Sequence, residues 1–392
     1  MKMNFILFDG STRNNLLPLT YTKPVADIRI GILTIREKWE KWLNFTTTTL
    51  TEEYLEDKFP MVEMEENIMI NASFLPTEKL VNLVKDLRQD QAIIKDDEII
   101  AFFTRDTQEE IDFDTYKIIR FNEDVIQIKH NWDIFSYNGE AIKADFKLIT
   151  EGRKSAPIPG SVYCKNKDQI FLEEDVEIEI GVLNASDGPI YIGKHAQVME
   201  GSMIRGPFAM GEHSVVKMGT KVYGPTTLGP KSKIGGEVNN VILSGYCSKG
   251  HEGYLGNAVI GEWCNIGADT NNSNLKNNYA EVKMWEYEEE RFVKTGLQFC
   301  GLIMGDHSKC AINTMFNTGT VIGVSTNIYG SNFPRNFIPS FSWGGAAGFK
   351  TYNIDKAKET ADLVMTRKNE DFTEQDQKIL DHVFELSKKY RK

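Results

Sequence analysis

The chain has 392 residues, 41% of them hydrophobic and 26% charged, with a formal charge of −11. That composition supplies enough apolar material for two or three ordinary folded domains. The negative balance excludes non-specific binding to nucleic acid or anionic membrane, both of which need basic surface, but leaves room for a phosphorylated ligand held by a local basic patch.

Five cysteines (Cys164, Cys247, Cys264, Cys300, Cys310) are scattered without a C-x-x-C pair. This fits neither a disulfide framework nor a zinc site, and no metal is expected from them. The first apolar run, Phe5-Ile6-Leu7-Phe8, is too short for a signal peptide, and nothing approaches the roughly 18 apolar residues of a membrane span. The expectation is a cytoplasmic protein without membrane insertion.

Residues 1–150 read as mixed α/β, with a buried strand at Phe5 to Phe8 and helices over Ala26 to Leu43 and Thr77 to Leu87. The strand leads into Asp9-Gly10-Ser11-Thr12-Arg13, then Leu17-Pro18-Leu19-Thr20 and Lys23-Pro24. This run resembles the signature of sugar-1-phosphate nucleotidyltransferases. The resemblance implies a Rossmann-like domain in which Gly10, Ser11, Thr12, Arg13 and Lys23 surround nucleotide phosphates, with the turn donating backbone N–H groups and the cations neutralising charge. The domain is a degenerate relative. Its glycine run is cut to Gly10, and the later strand Ile68-Met69-Ile70-Asn71-Ala72-Ser73 has no carboxylate where that family holds Mg²⁺. Mg²⁺ is expected only if this domain transfers nucleotides.

From Ile192 an aliphatic residue recurs every six positions: Ile192, Val198, Ile204, Met210, Val216, Val222, Leu228, Ile234. Four residues after each stands a small or apolar one, from Ala196 and Ser202 to Ser232 and Val238. The pattern resumes at Ile260, Ile266, Met304, Cys310, Phe316 and Ile322, with partners Cys264, Thr270, Ser308, Thr314, Thr320 and Thr326. A helix repeats near 3.6 and a strand at 2, so a period of six is neither. It predicts a left-handed parallel β-helix over 151–335, three short strands per triangular coil of about 18 residues, coils stacked about 4.8 Å apart. The large residues fill the prism, and Cys264 and Cys310, both in inward-pointing slots, are packing residues. Residues 271–300 break the rhythm with a polar, turn-prone stretch and a charged one, predicting a loop or hairpin thrown out from a corner. From 336 to 392 a connector, Ser340 to Gly348, precedes helices at Asp355 to Lys368 and Thr373 to Tyr390. The second carries an apolar stripe of Ile379, Leu380, Val383, Phe384 and Leu386.

The segment from Gly250 to Asn274 (Gly-His-Glu-Gly-Tyr-Leu-Gly, a hexapeptide, then Asn265-Ile266-Gly267-Ala268-Asp269-Thr270 and on to an asparagine) is similar, without gaps, to the acetyltransferase domain of the GlmU family. That family joins N-acetylglucosamine-1-phosphate uridyltransferase and glucosamine-1-phosphate acetyltransferase activities. The departures are Glu252, Gly253, and Asp269 in place of a glycine. The resemblance implies an acetyl-CoA-dependent transferase with His251 as general base, since an attacking amine must lose a proton and imidazole titrates near neutrality. It places Tyr254, Asn265 and Asn274 against the sugar phosphate or the cofactor, and Ala268 beside the cofactor, where backbone donors would face an oxyanion. Lys221 falls near a phosphate-binding arginine of the family, without that residue's bidentate grip. The substrate would be an amino-sugar phosphate or a nucleotide sugar, and the assembly a homotrimer with sites between prisms.

Two other readings stay open. One is a non-catalytic sugar-nucleotide-binding protein or scaffold, which the altered N-terminal motif suggests, or else a sugar-1-phosphate nucleotidyltransferase. The other is a metal-dependent prism enzyme, because His195 and His213 stand 18 residues apart on the same outward slot.

Overall fold

The computed structural model describes residues 3–105 and 111–391. They divide into two compact units. The first runs to Leu16 and takes in Lys23–Ile28 and Leu33–His130; the second comprises Leu17–Thr22, Arg29–Ile32 and the chain from Asn131 onward.

The first unit is an α/β layer around a six-stranded sheet. Asn4–Phe8 lies between the parallel strands Thr48–Leu50 and Glu66–Asn71, with Leu7 opposite Ile70. Glu98–Arg105 then adds antiparallel, followed by Gln91–Lys95 and Lys117–Arg120. Ile6, Ile68, Ile70 and Ile93 are fully buried, as near-continuous apolar strands covered on both faces require. The helix expected over 26–43 is confined to Ile35–Leu43. Upstream, Ile28, Ile30 and Ile32 alternate with a period of two, and Gly31 has φ +75, so the chain there is extended and turning. Thr34 then starts the helix with a capping box, its hydroxyl accepting from Glu37 N while the Glu37 carboxylate accepts from Thr34 N.

The second unit is the predicted parallel β-helix, with C-terminal helices attached. Val198 pairs with Val216 and Val216 with Ile234, a coil of 18 residues. Every large position of the predicted repeat, from Ile192 to Ile322, is buried in one continuous core. Each such side chain contributes roughly 2 kcal/mol through its removal from water. The small positions are equally buried, and the structure shows why hydroxyls are tolerated there. Ser214, Thr220, Thr314 and Thr320 each donate to the carbonyl three residues earlier, satisfying the corner backbone from inside. The glycines after the large residues are required by coil stacking: a Cβ on Gly229 would lie 1.9 Å from Ser244 O.

The rhythm falters between Ile234 and Ile260 for a physical reason. Strand Glu237–Leu243 runs round a corner at Asn239 and Asn240 without a separate turn, so Val238, Val241 and Leu243 all point inward. Ile234 is thereby opposite Lys249, only 15 residues on. The coils also begin earlier than the regular repeat: Val162–Lys165 and Ile170–Leu172 already pair with the next coil.

Of the expected loop over 271–300, Asn271–Asn272 is still a strand of the coil, paired with Met315–Phe316. The excursion begins after it and contains an antiparallel hairpin, Lys283–Glu286 with Arg291–Lys294. Trp285 of that hairpin stacks on Phe337 at 4.2 Å. The expected connector at 340–348 is instead the last coil: Ser342–Gly345 pairs with Asn327–Ile328 and turns back on Gly348–Thr351. Helices Ile354–Thr366 and Glu374–Leu386 follow. In the second, Ile379, Leu380 and Val383 are buried, but Leu386, read as part of the stripe, is 46% exposed at the helix end. Helices Asn131–Ser136 and Asn138–Thr150 also belong to this unit, where the Asn138 carboxamide accepts from Thr227 Oγ1 and Gly31 N.

Candidate functional site

Lys249 occupies an interior position of the prism and is about 1% exposed. Its ammonium donates to Gly235 O and His251 O, both at 2.8 Å. Burial pushes its pKa down to about 8. This internal strut fixes the corner that carries His251. The corner then turns through Glu252 and Gly253 into strand Tyr254–Ile260. Gly253, one of the departures from the family pattern, has φ +114, and a Cβ there would lie 2.2 Å from Thr270 O. Glycine is dictated by the tight corner.

His251 is exposed, and its imidazole has no hydrogen-bond partner among the described residues. Along the same prism edge the next coils stack through Asp269 N to Glu252 O at 2.9 Å and Asn313 N to Ala268 O at 2.8 Å. His251 and Ala268 therefore sit on successive turns of one edge.

One face beside that edge is polar. Lys221, Glu237 and Tyr254 are register neighbours on successive coils. The Tyr223 hydroxyl donates to Glu237, which pushes the Tyr223 pKa up to about 12. Asn274 Nδ2 donates to the Tyr254 hydroxyl at 2.9 Å and to Asn257 Oδ1 at 2.7 Å. Burial raises the Tyr254 pKa, so the phenol stays neutral and can donate. Asn271 and Asn272 hold this face together: Tyr254 N donates to Asn271 Oδ1, and Asn272 exchanges two hydrogen bonds with the backbone of Gly256. The carboxamides act as a substitute strand, which accounts for the asparagine-rich sequence.

The structure thus joins Tyr254 and Asn274 directly, with Lys221 two coils away on the same face. Asn265 is exposed on a different face, its strand paired with Ser248 on one side and Lys309 on the other. Lys249, Asn257, Glu237 and Tyr223 were not singled out from sequence. Only Lys249 leaves a trace, as a lysine where the coil needs an inward residue.

The N-terminal motif is arranged differently. Arg13 is 7% exposed and its guanidinium meets Asp9 at 3.1 Å, Glu52 at 3.4 Å and the Tyr54 hydroxyl at 2.9 Å. Asp9 also accepts from Val25 N and the Thr51 hydroxyl. Burial raises its pKa, against the lowering by Thr51, Val25 and Arg13. Gly10 lies against Asn71, whose side chain a Cβ at position 10 would meet at 2.7 Å. Thr12 and Lys23 are buried, and Ser11 is exposed. Asn71 itself is engaged with Ser73 and Ile99 O.

His195 and His213 stack at 4.8 Å on successive coils, with Asp175 3.6 Å from His195. Among the described residues no group of three His, Cys, Asp or Glu is placed to hold a metal ion. Among them, too, no helix is long and apolar enough to cross a membrane.

Residues 5–154 match the family model for sugar nucleotidyl transferases. No curated protein matches the chain. Among solved structures the chain is similar to LpxA, a UDP-N-acetylglucosamine acyltransferase from Bacteroides fragilis, at 14% identity over 60% of this chain and 83% of that one, with a TM-score of 0.32. It is similar to AntD, an N-acyltransferase from Bacillus cereus solved with dTDP and coenzyme A, at 13% identity over 52% and 91%, TM-score 0.24. An Arabidopsis UDP-N-acetylglucosamine acyltransferase gives 12% identity over 54% and 80%, TM-score 0.24.

Proposed function

We propose that the β-helix carries an acetyl-CoA-dependent transferase acting on an amino-sugar phosphate or a nucleotide sugar, with His251 as the base. The observation that carries this reading is the unpartnered imidazole at a rigid edge, beside a face whose Tyr254, Asn274 and Asn257 side chains are already joined. Coenzyme A would lie along the edge at Ala268, whose methyl is small enough to admit it, and would supply an activated acyl carbonyl. The chain's own part is to position the sugar and move one proton. The Tyr254 phenol and the Lys221 ammonium, which has no side-chain partner among the described residues, face the phosphate side. As the amine attacks, an imidazole ring nitrogen takes its proton, and the same group can return it to the departing thiolate. A homotrimer with its grooves between prisms belongs to this reading and is checked by sedimentation.

The test is release of free thiol from acetyl-CoA in the presence of glucosamine phosphates and 4-amino or 3-amino nucleotide sugars. Wild type should turn over at least one of them, and His251→Ala should lose about 10²- to 10⁴-fold in kcat. Equal turnover by His251→Ala would remove the base assignment.

For the first unit we infer a role without nucleotidyl transfer, either sugar-nucleotide binding or a purely structural one. Arg13 is committed to Asp9 and Glu52, and the strand end offers the amide of Asn71 where a metal would need a carboxylate, so the residues present do not suit Mg²⁺. Pyrophosphate release from nucleoside triphosphate and a sugar-1-phosphate with Mg²⁺ present should be absent; its appearance would restore the catalytic alternative.

A further inference from the structure

A second face of the prism presents a column of outward residues joined in register: Lys233 opposite Ser248, Ser248 opposite Asn265, Asn265 opposite Lys309. The end of helix Ile354–Thr366 brings Arg367 and Lys368 over this column and closes a cavity of about 440 Å³. Tyr246 and Trp263, stacked at 3.9 Å, form one wall. No carboxylate lines it.

Four cations therefore converge on one small space in a chain whose net charge is −11. Among the described residues none is paired with an acid. Lys309 donates only to His307 O at 2.9 Å and Lys368 only to Lys231 O at 2.6 Å. Lys233 and Arg367 have no side-chain partner among the described residues. The nearby Glu370 is taken by Lys231 at 2.5 Å. Cations brought together without acids repel one another and lose hydration, and burial does lower the pKa of both Lys309 and Lys368, with Lys233 adding to the effect on Lys368. A solvated basic surface would spread these charges; here the coil register and the tail assemble them. The space suits a group with two or more negative charges and several acceptor oxygens. Arg367 can grip such a group bidentately, and Ser248 and Asn265 add neutral donors.

We propose that this cavity is a binding site for the diphosphate group of a small molecule, separate from the face that carries Tyr254 and Asn274. The assignment stands on the cavity's own residues and does not depend on His251 being a base. A diphosphate could come from coenzyme A, from a nucleotide sugar or from free pyrophosphate, and the test separates these.

The full chain is titrated calorimetrically with inorganic pyrophosphate, coenzyme A, UDP-N-acetylglucosamine and, as a monoanionic control, acetate. At least one diphosphate compound should bind and acetate should not; the one whose binding the Lys233→Ala/Arg367→Ala variant weakens identifies the source. The double variant Lys233→Ala/Arg367→Ala alters two exposed side chains and should keep the wild-type melting temperature while losing at least about tenfold in affinity, a loss of 1.4 kcal/mol. Failure of all three diphosphates to bind, or unchanged affinity in the double variant, would overturn the proposal whatever becomes of His251.

Discussion

The Asp9–Lys23 turn lies in the stretch that matches the sugar nucleotidyl transferase model and the His251 edge is singled out by resemblance alone, yet the fold treats their polar groups in opposite ways. In the turn, the Arg13 guanidinium is consumed internally by Asp9, Glu52 and Tyr54, and the flanking strand ends in Asn71. At the edge, the neighbours of His251 are tied down by Lys249 and the asparagine ladder, while the imidazole is left to solvent. A motif is poised to act when its scaffold is satisfied and its reactive group is not. A motif whose charged groups satisfy one another has become part of the scaffold.

Four substitutions break or sharpen this contrast. The largest expected effect is on catalysis: His251→Ala should cost about 10²- to 10⁴-fold in kcat with an unchanged melting temperature, because the side chain supports nothing. Arg13→Ala should do the reverse. It strands the buried carboxylate of Asp9, and chemical denaturation should show a loss of about 3 kcal/mol with acetyl transfer unaffected. A stable Arg13→Ala protein that had lost nucleotide binding would mean the turn still serves a ligand.

The third concerns pH. The pKa of Lys249 falls to about 8 in the fold, below the usual lysine value, so the folded state releases a proton more readily than the unfolded chain. Stability is therefore penalised below about pH 8, and the penalty of roughly 3 kcal/mol is relieved as pH rises from there toward the unfolded value. Lys249→Met should flatten that part of the stability-versus-pH profile. An identical slope in both proteins would show that Lys249 does not titrate in this range. The smallest effect is expected for Tyr254→Phe, which removes one phenol from the Asn274 network and should raise KM for the sugar about fivefold to tenfold with little change in kcat.

Most of the β-helix was legible because its signal is a strict one-dimensional period: each residue from Ile192 to Ile234 is fixed by its neighbours six away. What escaped were places where geometry departs from the period. The shortened corner at Asn239 and Asn240 hid Val241 and Leu243, and the last coil at Ser342–Gly345 was masked by glycines. Near the N-terminus, Ile28 to Ile32 read as part of a helix because a short alternating segment beside a true helix carries little pattern of its own. The resemblance grouped Tyr254, Asn265 and Asn274 at one ligand, whereas the fold joins only Tyr254 and Asn274 and turns Asn265 to another face; Asn257, Glu237 and Lys249 depend on coil register, which sequence spacing does not reveal once the coil length changes from 18 to 15. The cavity under Arg367 and Lys368 was invisible for the same reason. Its cations come from coils and a tail segment far apart in the chain.

The edge carrying His251 and Ala268 is proposed here as an acyl-transfer site. A crystal structure of the full chain soaked with coenzyme A tests it most directly. Density for the thiol arm is expected along that edge, its sulfur within reach of the His251 imidazole. Coenzyme A found elsewhere on the protein, with this edge bare at saturating concentration, would contradict it.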